Sequence, residues 1–309
     1  MIARLMTTAL LCTGVLCASA FGANQAHPGT VNYVEGAAFL EGKQLNEKSV
    51  GSVELNAGEV LSTTTGKAEM LLTPGVFLRL DDNSAVKMIS PDITPTQVEL
   101  ERGRAAVEVD ELYPQNNLEI LDAGIDTQLV KTGYYEFNAS NPTVMVFTGK
   151  VAVEVGDGKY QVVKGHHEFA LGEGAREKPV NFDARTAEDE LYNWSSLRSQ
   201  YLAEANNQIA GQYAGASGFS PGWYWDPYMW DYTFIGMDQY WSPFGFGFYP
   251  PWGGGFYGGG VYRRDYYGHG LGGVGRGGLG GGSFHGGGGG FHGGGGGGFH
   301  GGGGGGGHR

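Results

Sequence analysis

Gly103-Arg104-Ala105-Ala106-Val107-Glu108-Val109 returns further along the chain as Gly149-Lys150-Val151-Ala152-Val153-Glu154-Val155. Both stretches read glycine, cation, two small or apolar residues, then Val-Glu-Val. A weaker echo precedes them, Gly36-Ala37-Ala38-Phe39-Leu40-Glu41. Alternation with a period of two is the pattern of a β-strand with one buried face. It predicts that the valines pack inward and that Glu108 and Glu154 face solvent. A repeated strand unit implies stacked β-rungs or hairpins that share one continuous core.

Similar short segments lie on both sides of the repeat. Val53-Glu54-Leu55, Lys67 to Leu72, Val76 to Leu80, Ala85 to Ile89, Val98 to Leu100, Thr143 to Phe147 and Tyr160 to Val163 alternate in the same way. Turn residues separate them: Asn56-Ala57-Gly58, Pro74-Gly75, Asp81-Asp82-Asn83 and Gly156-Asp157-Gly158. Glycine tolerates the positive φ of tight turns, while Asp and Asn bond their own backbone. Residues 27–180 therefore read as one mainly β domain, roll-like or sandwich-like.

Three stretches of this zone resemble the FecR domain, a periplasmic module of iron-citrate signalling. The first is Leu55-Asn56-Ala57-Gly58-Glu59-Val60-Leu61-Ser62-Thr63, continued by Gly66 to Gly75 and Leu78 to Ser84. The second is Leu100-Glu101-Arg102-Gly103-Arg104-Ala105-Ala106-Val107. The third is Val146 to Val153 with Val163-Lys164-Gly165. The likeness covers about half of the 309 residues. It implies a β fold and a location outside the cytoplasm. Signalling members of that family also carry a cytoplasmic segment and a membrane helix. No cytoplasmic segment is expected ahead of the N-terminal apolar run, and that run reads as cleavable, so the resemblance supports the fold and the compartment more than sigma-factor regulation. It carries over no ligand-binding residue.

The N-terminus agrees with export. Leu5 to Ala20 is a mostly apolar run behind Arg4 and ends in Ala18-Ser19-Ala20, so residues 1–20 read as a secretory signal peptide. The expected location is periplasmic or secreted. Both cysteines, Cys12 and Cys17, fall inside the signal, and Gly14-Val15-Leu16 is not a lipobox order before Cys17. The mature chain is then free of disulfides and depends on packing. No apolar run long enough to span a bilayer follows the signal. The net charge of −12 disfavours a nucleic-acid partner.

Residues 184–210 read as an amphipathic helix, with Leu191, Trp194, Leu197, Tyr201 and Leu202 on one stripe and Thr186 with Asp189 as a capping signal. The stripe is expected to cover an open face or edge of the β domain. Residues 211–267 are rich in aromatics, glycine and proline, as in Pro221-Gly222-Trp223-Tyr224-Trp225-Asp226-Pro227, and are expected to dock in part, up to about Tyr249. In residues 268–309 glycine predominates, and the reading is a disordered tail.

The patterns that carry chemistry are weak. His166 and His167 are adjacent, so on a regular strand they point to opposite faces and do not chelate one ion. Asp81-Asp82-Asn83-Ser84 lacks the spacing of a calcium loop and reads as a turn. Glu99, Glu101 and Glu108 read as the solvated face of strands rather than as a catalytic pair. No catalytic residue and no cofactor are expected, and the chain reads as non-enzymatic. His285, His292, His300 and His308 are the candidate metal ligands, on a flexible chain that makes each site weak. The expected role is an exported module that contacts an envelope protein or a cell-wall glycan. The alternatives are an envelope sensor and a weak metal binder through the His/Gly tail.

Overall fold

The computed structural model describes residues 26–113, 115–172, 178–216 and 218–253. The strands are, in order, β1 (Val31–Leu40), β2 (Lys43–Gln44), β3 (Val60–Leu71), β4 (Val76–Leu80), β5 (Ala85–Pro91), β6 (Thr96–Arg102) and β7 (Arg104–Val109). They continue with β8 (Leu118–Asp122), β9 (Ile125–Leu129), β10 (Gly133–Asn138), β11 (Thr143–Thr148), β12 (Lys150–Glu154), β13 (Tyr160–Lys164), β14 (His167–Ala170) and β15 (Val180–Asn181). Two helices follow, α1 (Ala184–Ala187) and α2 (Glu190–Ile209). Then come the hairpin β16 (Gly222–Asp226) and β17 (Asp231–Ile235), and the short pair β18 (Tyr240–Trp241) and β19 (Gly247–Phe248). The chain is mainly β with one long helix. Among the described residues no helix is long and apolar enough to cross a membrane.

One bent sheet makes two layers. Its strands run β13-β12-β9-β8-β6-β5-β3-β4-β7-β10-β11-β14-β15, with β1 along the other edge of β3. The long strand β3 joins the layers: Val60, Leu61 and Ser62 pair with β5, whereas Ala68 to Leu71 pair with β4. Residues from both layers form one apolar core, including Val31, Met70, Leu78, Val107, Tyr135 and Val146 from one layer and Leu61, Val86, Val98, Ile120, Val151 and Val163 from the other.

The repeated heptads are the corners of this fold rather than stacked rungs. β6 leaves one layer, turns at Gly103 and enters the other as β7. β11 makes the reverse passage through Gly149 into β12. Strands that switch sheets need a sharp local bend. Gly103 has φ +74° and Gly149 φ +96°, and an added Cβ would lie 2.3 Å from Ser84 Oγ or 2.1 Å from Tyr135 Oη. The third echo falls at the same kind of place. β1 crosses between the layers near Gly36, which pairs with Gly66, and a register shift follows it.

A third layer covers one face. β4, β7 and β10 are buried on both sides. Their outer face lies beneath α2 and the aromatic segment, in clusters built from Leu71, Phe77, Leu202, Phe234 and Phe248 and from Tyr134, Phe147, Leu191 and Trp194. The helix is not continuous from Ala184. It breaks at Glu188 and restarts behind Asp189, whose carboxylate accepts from Tyr192 N at 3.1 Å. The expected stripe is partly corrected. Leu191, Trp194 and Leu202 are buried, but Leu197 is 44% and Tyr201 38% exposed. Ser195, Arg198, Ser199 and Asn206 take the buried positions instead, because the sheet beneath them is charged.

Val53-Glu54-Leu55 forms no strand and contributes one bridge, Thr30 to Glu54. β8, β9 and β10 were not expected from the alternation, although Ala123-Gly124 is a plain turn between the first two.

Candidate functional site

Among the described residues one cluster of charged side chains is dry. Glu69 on β3, Arg79 on β4 and Glu108 on β7 share the outer face of the covered layer, and all three are fully buried. Arg79 Nε donates to Glu69 at 2.7 Å and its Nη1 to Glu108 at 2.5 Å. From the helix, Arg198 Nη2 donates to Glu69 and to Asp231 at 2.9 Å each, and Ser199 Oγ donates to Glu108 at 2.6 Å. Asn32 adds an amide donor to Glu69 at 2.9 Å, and the Arg198 guanidinium lies 4.1 Å from the centre of the Tyr33 ring. Glu108 is therefore not on a solvated face. Glu154, its counterpart in the repeat, lies in the layer that the helix does not cover and is partly exposed, as is Glu99, while Glu101 is exposed.

The electrostatics tie the helix to the sheet. Burial opposes the Glu69 charge, but Arg198 and Arg79 prevail and hold its carboxyl down to about 2. Asp231 behaves differently: burial outweighs Arg198 and raises it to about 6. Glu136 on β10 is pushed up to about 7 by burial and by Asp189 nearby, against Arg104. Arg104, the cation of the first heptad, reaches Glu136 at 2.9 Å and Asp189 at 2.5 Å. It thereby ties the cap of α2 to the corner of the sheet. Lys67 does the same from β3, on the far side of β4, with Asp81 at 2.9 Å and Glu190 at 3.0 Å.

The other sequence candidates are dispersed. His166 is not on a strand. It sits in the turn between β13 and β14 with φ +64°, and His167 opens β14 with Nδ1 2.9 Å from Gly165 O. Asp81 to Ser84 form the turn between β4 and β5, and both aspartates face Lys67. Among the described residues no group of three or more His, Cys, Asp or Glu is placed to hold a metal. His285, His292, His300 and His308 lie outside the described residues, as do residues 1–25, read above as carrying a signal, and the glycine-rich residues 268–309.

The aromatic segment supplies the surface feature that stands out. Asp226 pairs with Asp231 at the end of the β16–β17 hairpin, and residues 227–230 form its tip. Asp226 Oδ1 accepts from Tyr228 N at 2.8 Å and its carbonyl from Trp230 N at 2.9 Å. Trp230 adopts φ +58°, an uncommon conformation for a bulky side chain. The stem is core: Tyr232, Phe234 and Ile235 are buried. The tip is not: Tyr228 is 74% and Trp230 68% exposed. Trp230 meets Trp225 edge to face at 6.1 Å, and Trp225 in turn meets Tyr232 at 5.1 Å. The sequence marks this segment as aromatic but does not separate the rings that dock from those that protrude.

No family model matches the chain, and no curated protein matches it. Two crystal structures of a protein proposed as an anti-sigma factor, from Parabacteroides distasonis ATCC 8503, are similar in part, at 2.50 and 1.65 Å resolution. Each is 16% identical, with a TM-score of 0.36, over 41% of this chain and 62% of that one. The chain thus spans less than two thirds of the length of those structures.

Proposed function

We propose that this protein is an exported, non-enzymatic contact module of a cell envelope, which holds a glycan against the tip of the β16–β17 hairpin. One observation carries the reading: two large rings, Tyr228 and Trp230, stand in solvent on a stem whose Tyr232 and Phe234 are buried and whose Trp223, Tyr224 and Trp225 are half-buried. Trp and Tyr combine a broad apolar face with a polar edge, and that combination suits the C–H faces and hydroxyls of a sugar ring. Trp225 braces Trp230 from the side, which fixes the platform before any ligand arrives. Export rests on the signal-like N-terminus, and the likeness of the β zone to FecR domains agrees with it. The sensor and metal-binding readings depend on residues 1–25 and 254–309, outside the described residues.

The test is binding of the full chain to purified cell-wall glycan, followed by co-sedimentation and by tryptophan fluorescence. Trp230→Ala and Tyr228→Ala are expected to weaken binding at least tenfold each while the melting temperature stays within about 2 °C, since both rings are mostly exposed. A wild-type protein that binds no glycan, or variants that bind as well as it does, would end the proposal.

A further inference from the structure

The sheet has an open edge with an unusual charge. β13 pairs with β12 on one side, and among the described residues no strand pairs with its other side. The phase of the ladder follows from the two rungs that flank it. Val155 N donates to Lys159 O at 2.9 Å, and Gly165 N to Gly149 O at 3.2 Å. In an antiparallel pair, bonded and non-bonded positions alternate. Gln161 and Val163 therefore turn their backbone groups toward β12, and Tyr160, Val162 and Lys164 turn theirs outward. Gln161 Nε2 donates to Val162 O at 2.9 Å, where no neighbouring strand supplies a donor.

Lysines surround this edge. Lys150 and Lys164 are direct cross-strand partners on the outer face, a like-charge pairing that disfavours the strand pair by itself. Lys178 joins them across a cleft of about 420 Å³ lined by Gln161, Val162, Lys164, His167, Lys178 and Pro179. Among the described residues none of the three ammonium groups lies within 4.0 Å of a carboxylate, although the chain carries an excess of acids. Glu154, on the same face, stands opposite Tyr160 at the far end of the strand. Tyr160 and Val162 are 56% and 43% exposed.

We propose that β13 is a docking edge for an extended acidic peptide, which adds to the sheet as a further strand. Its backbone would bond to Tyr160, Val162 and Lys164, and its carboxylates would meet Lys150, Lys164 and Lys178. Strand addition draws affinity from main-chain hydrogen bonds and specificity from the side chains around them. Lysine on an edge strand commonly guards against pairing between identical chains. Here the same charges repel a second copy and attract an acidic strand.

The probe is a capped, fluorescently labelled nonapeptide of alternating glutamate and valine, tested on the full chain against its lysine-for-glutamate counterpart. The acidic probe is expected to bind at least tenfold more tightly. Amide exchange at Tyr160, Val162 and Lys164 is expected to slow when it binds. Val162→Pro removes an outward N–H without touching the β12 ladder and is expected to weaken binding at least tenfold. Lys164→Glu with Lys178→Glu is expected to reverse the preference between the two peptides. Equal binding of both peptides overturns the proposal. So does charge-dependent binding that Val162→Pro leaves intact, which would indicate a simple polyanion patch. A concentration-dependent dimer abolished by Val162→Pro would assign the edge to a second copy and overturn it as well.

Discussion

Arg198 of α2 and Glu69 of β3 meet at 2.9 Å, with their side chains 4% and 0% exposed. The contact joins the third layer to the second through a fully desolvated ion pair. A buried pair adds little beyond what well-packed apolar residues would contribute, but breaking one is costly because a bare charge remains inside. The pair therefore makes docking of the helix conditional: without α2, Glu69 keeps Arg79 but loses a second cation.

Arg198→Met is accordingly expected to destabilise the protein by about 3–5 kcal/mol, the usual cost of removing one partner from a buried ion pair. Chemical denaturation followed by far-UV circular dichroism measures it. Adding Glu69→Gln and Asp231→Asn to the same chain is expected to recover part of the loss, since the three groups act as one unit. A single variant as stable as wild type would refute the tie between helix and sheet.

Removal of residues 184–253 strips the cover from Phe77, Arg79, Glu108 and Tyr134, all buried in the intact protein. The remaining β chain is expected to aggregate or to bind a hydrophobic dye strongly, rather than to melt cooperatively. A soluble, cooperatively melting fragment of residues 27–180 would show that two layers suffice.

Stability is expected to rise as the pH falls from 8 to about 5. Burial raises Asp122 to about 6; Glu136 and Asp231 stand at about 7 and 6, burial again being the first cause. These values exceed the unfolded ones of roughly 4, so the native state binds more protons through that window. Glu69 works in the opposite sense. Its contribution is present above its ordinary value of 4.5 and is lost as the pH falls through about 2. Melting temperature against pH should peak near pH 4–5 and decline on both sides. Glu136→Gln should flatten the neutral limb. A curve that rises steadily to pH 8 would contradict the assignment.

The glycine corners give a graded test. Gly149→Ala meets both a positive φ and the Tyr135 hydroxyl, and is expected to cost about 3 kcal/mol. Gly58 has a similar φ of +88° but open space around it, so Gly58→Ala should cost only about 1 kcal/mol, from backbone strain alone. Equal losses in urea titrations would mean that the close approach to Tyr135 has no weight.

Much of the β architecture was legible in the residues. β5, β6, β7, β11, β12 and β13 all lie where the alternation places them, because a strand with one buried face writes itself in steps of two. The same rule misled at Glu108. A polar residue at every second position looks identical whether water or a second charged layer faces it. Arg198 hid in the same way, as one charged residue in a helix whose visible stripe was apolar. Nor did composition separate Trp230, which protrudes, from Phe234 four residues later, which is core; only the turn at Asp226 and Asp231 does so.

The amino-acid order alone settled what is local: the period of the strands, the glycines where the chain must bend, and a helix followed by aromatic chain. Those properties depend on backbone sterics and on neighbours a few residues away. Which face of the sheet stays wet, where the heptad glycines send the chain, which rings remain in solvent and which sheet edge stays open were decided by the packing of three layers. Each of these depends on partners from distant parts of the chain, as when Asn32 bonds to Tyr232, and no short stretch of residues encodes them.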